Sequence, residues 1–214
     1  GYAGRKKPAE GKVQDLFAKA LALEDSGGNR LVIVTTDLIG ILPTLRASME
    51  QKVAGAFQLP PQALLLNASH THSGPEYRVR TGPHDQEAKE YTDFLEIQLV
   101  RVIGAALKDL QPADGSWNRA RCGLSMNGPL PTEKGYQNSP NPDGPVDHEV
   151  PALRIHSPDG KARAVLFGYA CHATCLGDYE YCGDYPGYAQ EYLQEHRPEF
   201  VALFLNGCSG HPNP

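Results

Sequence analysis

Short apolar runs rich in β-branched residues alternate along this chain with longer stretches of helical spacing. That alternation constrains the fold more than any other feature of the sequence. Leu31-Val32-Ile33-Val34-Thr35-Thr36 reads as a buried strand. Pro43 to Phe57 follows, with Leu45, Met49, Val53 and Phe57 at helical intervals and a proline in its first turn. Ala63-Leu64-Leu65-Leu66-Asn67 is a second buried strand. From Gln86 to Leu110, residues Tyr91, Phe94, Leu95, Gln98, Val102, Ala105 and Ala106 recur on one helical face. Strands are expected near 119–125, 152–155 and 164–169, then a helix over about 185–196 and a last strand at 200–206. The expected architecture is α/β, a layered mixed sheet with flanking helices. A chain of 214 residues is long enough to bury such a core as one domain, 1–214.

One segment breaks the alternation. Gly128 to Asp147 is crowded with proline and glycine, so a long Pro/Gly-rich loop is expected over 128–147. It reads either as a lid carrying Tyr136 over a site or as a plain surface excursion.

Composition narrows the function classes. With 40% hydrophobic and 21% charged residues, wholesale disorder is excluded. The formal net charge is -5, and the only basic run is Arg5-Lys6-Lys7. Nucleic-acid binding needs a clustered basic excess, so no nucleic-acid partner is expected. No stretch approaches the ~20 apolar residues of a membrane helix. The cysteines number five, with no CxxC pair among them. They read as buried small hydrophobes with room for one disulfide, not as a zinc ribbon.

Three of the apolar runs end in residues that can do chemistry, and ligand sites in open α/β sheets lie outside the carboxyl ends of strands. The run ending at Asn67 leads into His70-Thr71-His72-Ser73-Gly74-Pro75. If strand geometry continues, His70 and His72 face one side. They then form a metal pair, or one ligand and one acid–base group. The run ending at Tyr169 leads into Ala170-Cys171-His172, with Asp184 following in Gly183-Asp184-Tyr185-Pro186. Asp184 reads as the N-cap of the next helix or as a further site residue. The run ending at Asn206 leads into Gly207-Cys208-Ser209-Gly210-His211-Pro212-Asn213-Pro214. This glycine turn either presents backbone N–H groups to an anion or is an ordinary tight turn. His84, His148, His156 and His196 read as structural or solvent-facing.

These motifs, with Gly1-Tyr2-Ala3 and the segment from Gly183 to Ala189, resemble the N-terminal catalytic region of the neutral/alkaline non-lysosomal ceramidase family, in family order and over essentially the whole chain. The resemblance implies zinc on His70 and His172, with His72 beside the substrate. It implies further metal ligands, a Glu and a Tyr, well downstream. None lies within this chain, so the domain is expected to be truncated at its C-terminus. The sequence also departs from the family pattern. Asn213 stands where ceramidases have a serine, which gives Asn213 the catalytic position. His211 stands where they have an aspartate. Asn127, at a substrate-contacting position, is followed by Gly128 where they have an arginine. The expected function is a zinc-dependent hydrolase of an amide or related acyl bond in a small-molecule or lipid-like substrate. The alternatives are a non-catalytic member of the family, or a His-rich copper or iron site. The family further implies an extracellular or periplasmic location.

Overall fold

The computed structural model describes residues 5–78, 85–195, 197, 199–210 and 212–214. The chain opens with strands β1 (Gly11–Lys12), β2 (Ala18–Glu24) and β3 (Arg30–Thr36). Helix α1 (Pro43–Phe57), strand β4 (Leu64–Ala68) and helix α2 (Asp85–Lys108) follow. Five strands come next: β5 (Asp114–Arg121), β6 (Met126–Thr132), β7 (Gly135–Asn141), β8 (Glu149–His156) and β9 (Ala162–Tyr169). The rest comprises β10 (Glu180–Tyr181), α3 (Asp184–Gln194), β11 (Val201–Asn206) and β12 (Pro212–Asn213).

Two sheets carry the fold. One has the order β2-β3-β4 and the other β11-β9-β8-β5. They pack face to face, because strand side chains alternate between faces. Leu21 and Ile33 of the first sheet meet Ala164, Leu166 and Leu203 of the second. The opposite face of the first sheet, through Val32, Val34 and Leu64, packs on Leu45, Met49 and Val53 of α1 and on Leu95, Leu99 and Ile103 of α2. Full burial of each such side chain contributes about 1.5–3 kcal/mol. The outer face of the second sheet meets α3, where the Tyr185 ring lies edge-on to Phe204, centroids 5.7 Å apart. The layers therefore run helix, sheet, sheet, helix, which is the α/β architecture read from the sequence.

Within these two sheets two strand pairs are parallel, β3 with β4 and β9 with β11. Asn67 joins the two pairs. Its Nδ2 donates to the Asn206 carbonyl at 3.1 Å, and its Oδ1 accepts from the Asn206 N–H at 2.9 Å. The carboxyl ends of β4 and β11 are thereby set side by side.

The structure corrects several expectations. Residues 128–147 are not a featureless loop, since β6 and β7 form an antiparallel hairpin there. Pro129 and Pro131 lie two apart, so both missing donors fall on the same edge of β6, and the other edge stays free to pair. The strand expected at 119–125 begins earlier, at Asp114, and β2 was not foreseen. The β2 sequence AKALALE is made of good helix formers, and only its pairing with β3 makes it a strand. All five cysteines are free thiols, so there is no disulfide.

Candidate metal centre

The carboxyl ends of β3, β4, β9 and β11 converge, and each is followed by a residue of one cluster: Ile39, His70, His172 and Ser209. His70 and His72 do not share a side through strand alternation, as the sequence suggested. The strand ends at Ala68, and His70 takes a left-handed backbone conformation, φ 64°. The turn is held from several directions. The His70 N–H donates to the Leu38 carbonyl at 3.1 Å, and the Thr71 hydroxyl donates to the Cys182 carbonyl at 2.7 Å. The Cys182 N–H in turn donates to the Ser73 carbonyl at 3.1 Å. Gly74 is tightly seated, because a Cβ there would stand 3.0 Å from the Asp37 carbonyl oxygen and would need the backbone to give way.

His70, His72 and His172 come together, with one ring nitrogen of each within 4.8 Å of the others. Among the described residues, this is the one grouping of His, Cys, Asp or Glu arranged to hold a metal ion. The ring centroids lie 4.6 Å apart for His70–His172, 5.1 Å for His70–His72 and 5.5 Å for His72–His172.

The tautomers follow from the backbone. His70 Nδ1 lies 2.6 Å from the Ile39 carbonyl, and His172 Nδ1 lies 2.6 Å from the Ser209 carbonyl. A carbonyl oxygen can only accept, so both Nδ1 atoms carry the proton. Both Nε2 atoms then present lone pairs, and they face each other at 3.0 Å. Two facing lone pairs repel unless a proton or a cation lies between them. Burial, the larger effect, and the neighbouring His172 hold the His70 pKa down, which disfavours the proton. Two nitrogens bound at 2.0–2.1 Å to one tetrahedral ion sit roughly 3.3 Å apart, close to the spacing observed. The donor set fits a divalent transition metal. His72 is pushed down to about 4, by burial first and then by the charges of His70, His172 and Arg5.

The remaining expected residues fall at different distances from this centre. The His172 N–H donates to the Pro212 carbonyl at 2.8 Å, which seats β12 beside the histidines. Asn213 therefore lies one residue from that contact. Asn127 pairs with Pro212, is buried, and commits its Nδ2 to the Pro145 carbonyl at 3.0 Å. Tyr136 stands 80% exposed near the hairpin turn. That is nine residues along the chain from Asn127, at the turn end of β7, where it pairs with Pro131 of β6. Asp184 is fully buried but is not the N-cap. Gly183 holds that position, and Asp184 is the first helical residue, with φ 57°. Its carboxylate accepts from the N–H groups of Cys175 at 3.2 Å, Leu176 at 2.8 Å and Tyr185 at 2.7 Å, so it ties down the loop after His172. His211, His84 and His196 lie outside the described residues. His148 is structural, its ring bonded to the Cys122 carbonyl at 3.0 Å.

The glycine turn is a tight turn. The Gly207 N–H donates to the Tyr169 carbonyl and the Ser209 N–H to the Gly207 carbonyl, while the Ser209 carbonyl receives His172. Sequence reasoning missed the two carbonyls that fix the tautomers, of Ile39 and Ser209, because a backbone acceptor leaves no residue signature. It also passed over Arg5, whose guanidinium reaches the His72 carbonyl at 2.7 Å.

The chain is similar to known proteins. The neutral ceramidase B of Dictyostelium discoideum is 27% identical over 237 residues, covering 100% of this chain and 33% of the relative. The neutral ceramidase of Pseudomonas aeruginosa is 26% identical over 242 residues, covering 100% of this chain and 34% of the relative. The chain thus spans about a third of the length of the curated relatives it matches. The crystal structure of the Pseudomonas aeruginosa enzyme superposes with a TM-score of 0.80 at 22% identity, over 95% of this chain and 34% of that one. A ceramidase complexed with C2 gives a TM-score of 0.78 at 23% identity, with the same coverage. Residues 1–212 match the family described as neutral/alkaline non-lysosomal ceramidase, N-terminal, and the chain belongs to that family.

Proposed function

We propose that this chain is the metal-binding part of a zinc-dependent hydrolase that cleaves an amide or related acyl bond in a lipid-like substrate such as ceramide. The observation that carries the reading is the pair of Nε2 lone pairs fixed 3.0 Å apart by two backbone carbonyls. His70 and His172 are assigned as the zinc ligands. When bound, the ion supplies Lewis acidity to a scissile carbonyl and to water. His72 is neutral at physiological pH and offers one N–H and one lone pair beside the ligands, so it moves a proton or steadies developing charge. Asn213 follows Pro212, whose carbonyl accepts from the His172 N–H, and is assigned to the catalytic group. Asn127 supports β12 from the neighbouring strand. No helix among the described residues is long and apolar enough to cross a membrane. The family's pattern supports an extracellular or periplasmic setting.

A second arrangement is favoured by the three-nitrogen grouping, in which His72 is a third ligand to the ion. Elemental analysis of protein purified without chelator or polyhistidine tag tests both. The proposal expects near-stoichiometric zinc that His70→Ala and His172→Ala each abolish. Absence of metal from the natural sequence overturns it, and copper or iron in its place overturns the zinc assignment. Hydrolysis of a panel of N-acyl amides by the zinc-loaded protein then tests the reaction.

A further inference from the structure

The segment ahead of β1 lies across both histidine loops, and one side chain holds it there. Arg5 Nη1 donates to the His72 carbonyl at 2.7 Å, and Nη2 donates to the Ser73 hydroxyl at 3.1 Å. Its Nε donates to the Asp178 carbonyl at 3.0 Å. The first two acceptors belong to the loop that carries His70 and His72. The third belongs to the loop that continues from His172. The two loops also touch directly, through the 3.4 Å bond from the His72 N–H to the Ala173 carbonyl. Around Arg5 the same segment runs along the second loop. The Lys6 N–H donates to the Tyr179 hydroxyl at 3.2 Å, the Glu10 N–H donates to the Tyr179 carbonyl at 2.6 Å, and β1 pairs with β10 in parallel.

We propose that Arg5 is a positioning residue for the histidine centre: its guanidinium staples the turn bearing His70 and His72 to the loop following His172, and so fixes the aim of the His72 ring. The planar guanidinium matters here. It directs several N–H groups in fixed directions and can span two chain segments, which the single ammonium of a lysine cannot do with the same geometry. Partners that orient metal-binding histidines from behind typically contribute 10–100-fold to metal affinity. The assignment rests on the metal reading above, so the test includes a measurement that needs no metal.

Wild type, Arg5→Lys and Arg5→Met are compared, each shown folded by circular dichroism. The imidazole nitrogen resonances of His70, His72 and His172 are recorded by NMR without metal, and zinc affinity is measured by chelator competition. In Arg5→Met the His72 resonances are expected to shift or double while those of His148 stay in place. Zinc affinity is expected to fall at least about tenfold, because the turn that Arg5 holds also carries the ligand His70. Millimolar methylguanidinium should restore both, and Arg5→Lys should restore neither. The proposal is overturned if the His72 resonances of Arg5→Met match wild type, if methylguanidinium has no effect on them, or if lysine substitutes fully. A wild-type protein that binds no zinc overturns the function proposed above, and the resonances of His72 still decide the role of Arg5.

Discussion

His172 Nδ1 and the Ser209 carbonyl oxygen lie 2.6 Å apart, although the residues stand 37 positions apart in sequence. This bond joins the end of β9 to the end of β11. It fixes the tautomer of His172, as the Ile39 carbonyl does for His70. The two facing Nε2 atoms are thus set by main-chain acceptors, which hold their positions because the parallel strands beneath them are buried. A fixed tautomer and ring angle reduce the ordering that metal binding must otherwise impose.

The first prediction separates the three histidines. His70→Ala and His172→Ala should each remove metal from the purified protein. His72→Ala should retain it and lose turnover by 10²-fold or more, the usual range for a positioned proton-transfer group. Equal metal loss in all three variants would replace the two-ligand arrangement with a three-ligand one.

Gly144 carries the second prediction. A Cβ added there would stand 2.4 Å from Asn127 Cγ, inside contact distance. Asn127 is buried and cannot easily give way, since its amide is bonded to the Pro145 carbonyl. Gly144→Ala should therefore destabilise the protein by about 1–3 kcal/mol, as over-packing does elsewhere. It should also loosen β12 against β6. Urea denaturation checks the first effect, and hydrogen exchange at the Met126 and Asn127 amides checks the second.

Thiol reactivity gives a third. Burial, with Cys175 and Asp184 adding to it, pushes the Cys171 thiol up to about 12. Cys175 is exposed at its residue surface, yet its thiol is pushed up to about 11 by loss of water around the sulfur and by the Asp184 carboxylate. The thiolate is the reactive form, so both should alkylate slowly at pH 7.5. Exposed Cys208 should take most of the label, and Cys208→Ser should remove most of it. Peptide mass spectrometry after brief iodoacetamide treatment reads this directly. Dominant labelling of Cys171 would contradict its burial.

Much of this was legible in the residues. Pro43–Phe57 has the bounds its apolar spacing indicates, because Leu45, Met49 and Val53 all turn to one core. His70 and His172, which the structure brings together, were readable as polar residues at the ends of buried strands. What could not be read depends on tertiary contacts. β2 has weak local preference and becomes a strand through its register with β3. The β6–β7 hairpin hides behind its prolines, whose effect depends on which strand edge is paired. Asp184 looked like a cap because aspartate precedes helices so often. Its left-handed backbone and its bonds to the Cys175 and Leu176 N–H groups arise only once the loop after His172 has folded over it.

The last prediction concerns Asp37, at the end of β3. Its carboxylate accepts from the Phe17 N–H at 2.9 Å and is almost fully buried. Burial is the largest influence and raises its pKa above the ordinary 3.8, outweighing the Phe17 bond and the nearby Lys19 charge, which both act to lower it. A folded-state pKa above the unfolded value means that the folded chain binds more protons across the window between the two. Asp37 therefore favours the folded state most below pH 3.8, and this contribution is lost as pH rises through its folded pKa. Asparagine carries no such titration and keeps an oxygen for the Phe17 N–H. Relative to wild type, Asp37→Asn should gain stability steadily as pH rises from about 3.5 and then level off. Urea midpoints for both proteins, taken between pH 3.5 and 7.5, measure the difference. A difference that shrinks over that range would mean the ionised carboxylate is held by Lys19 more strongly than burial opposes it.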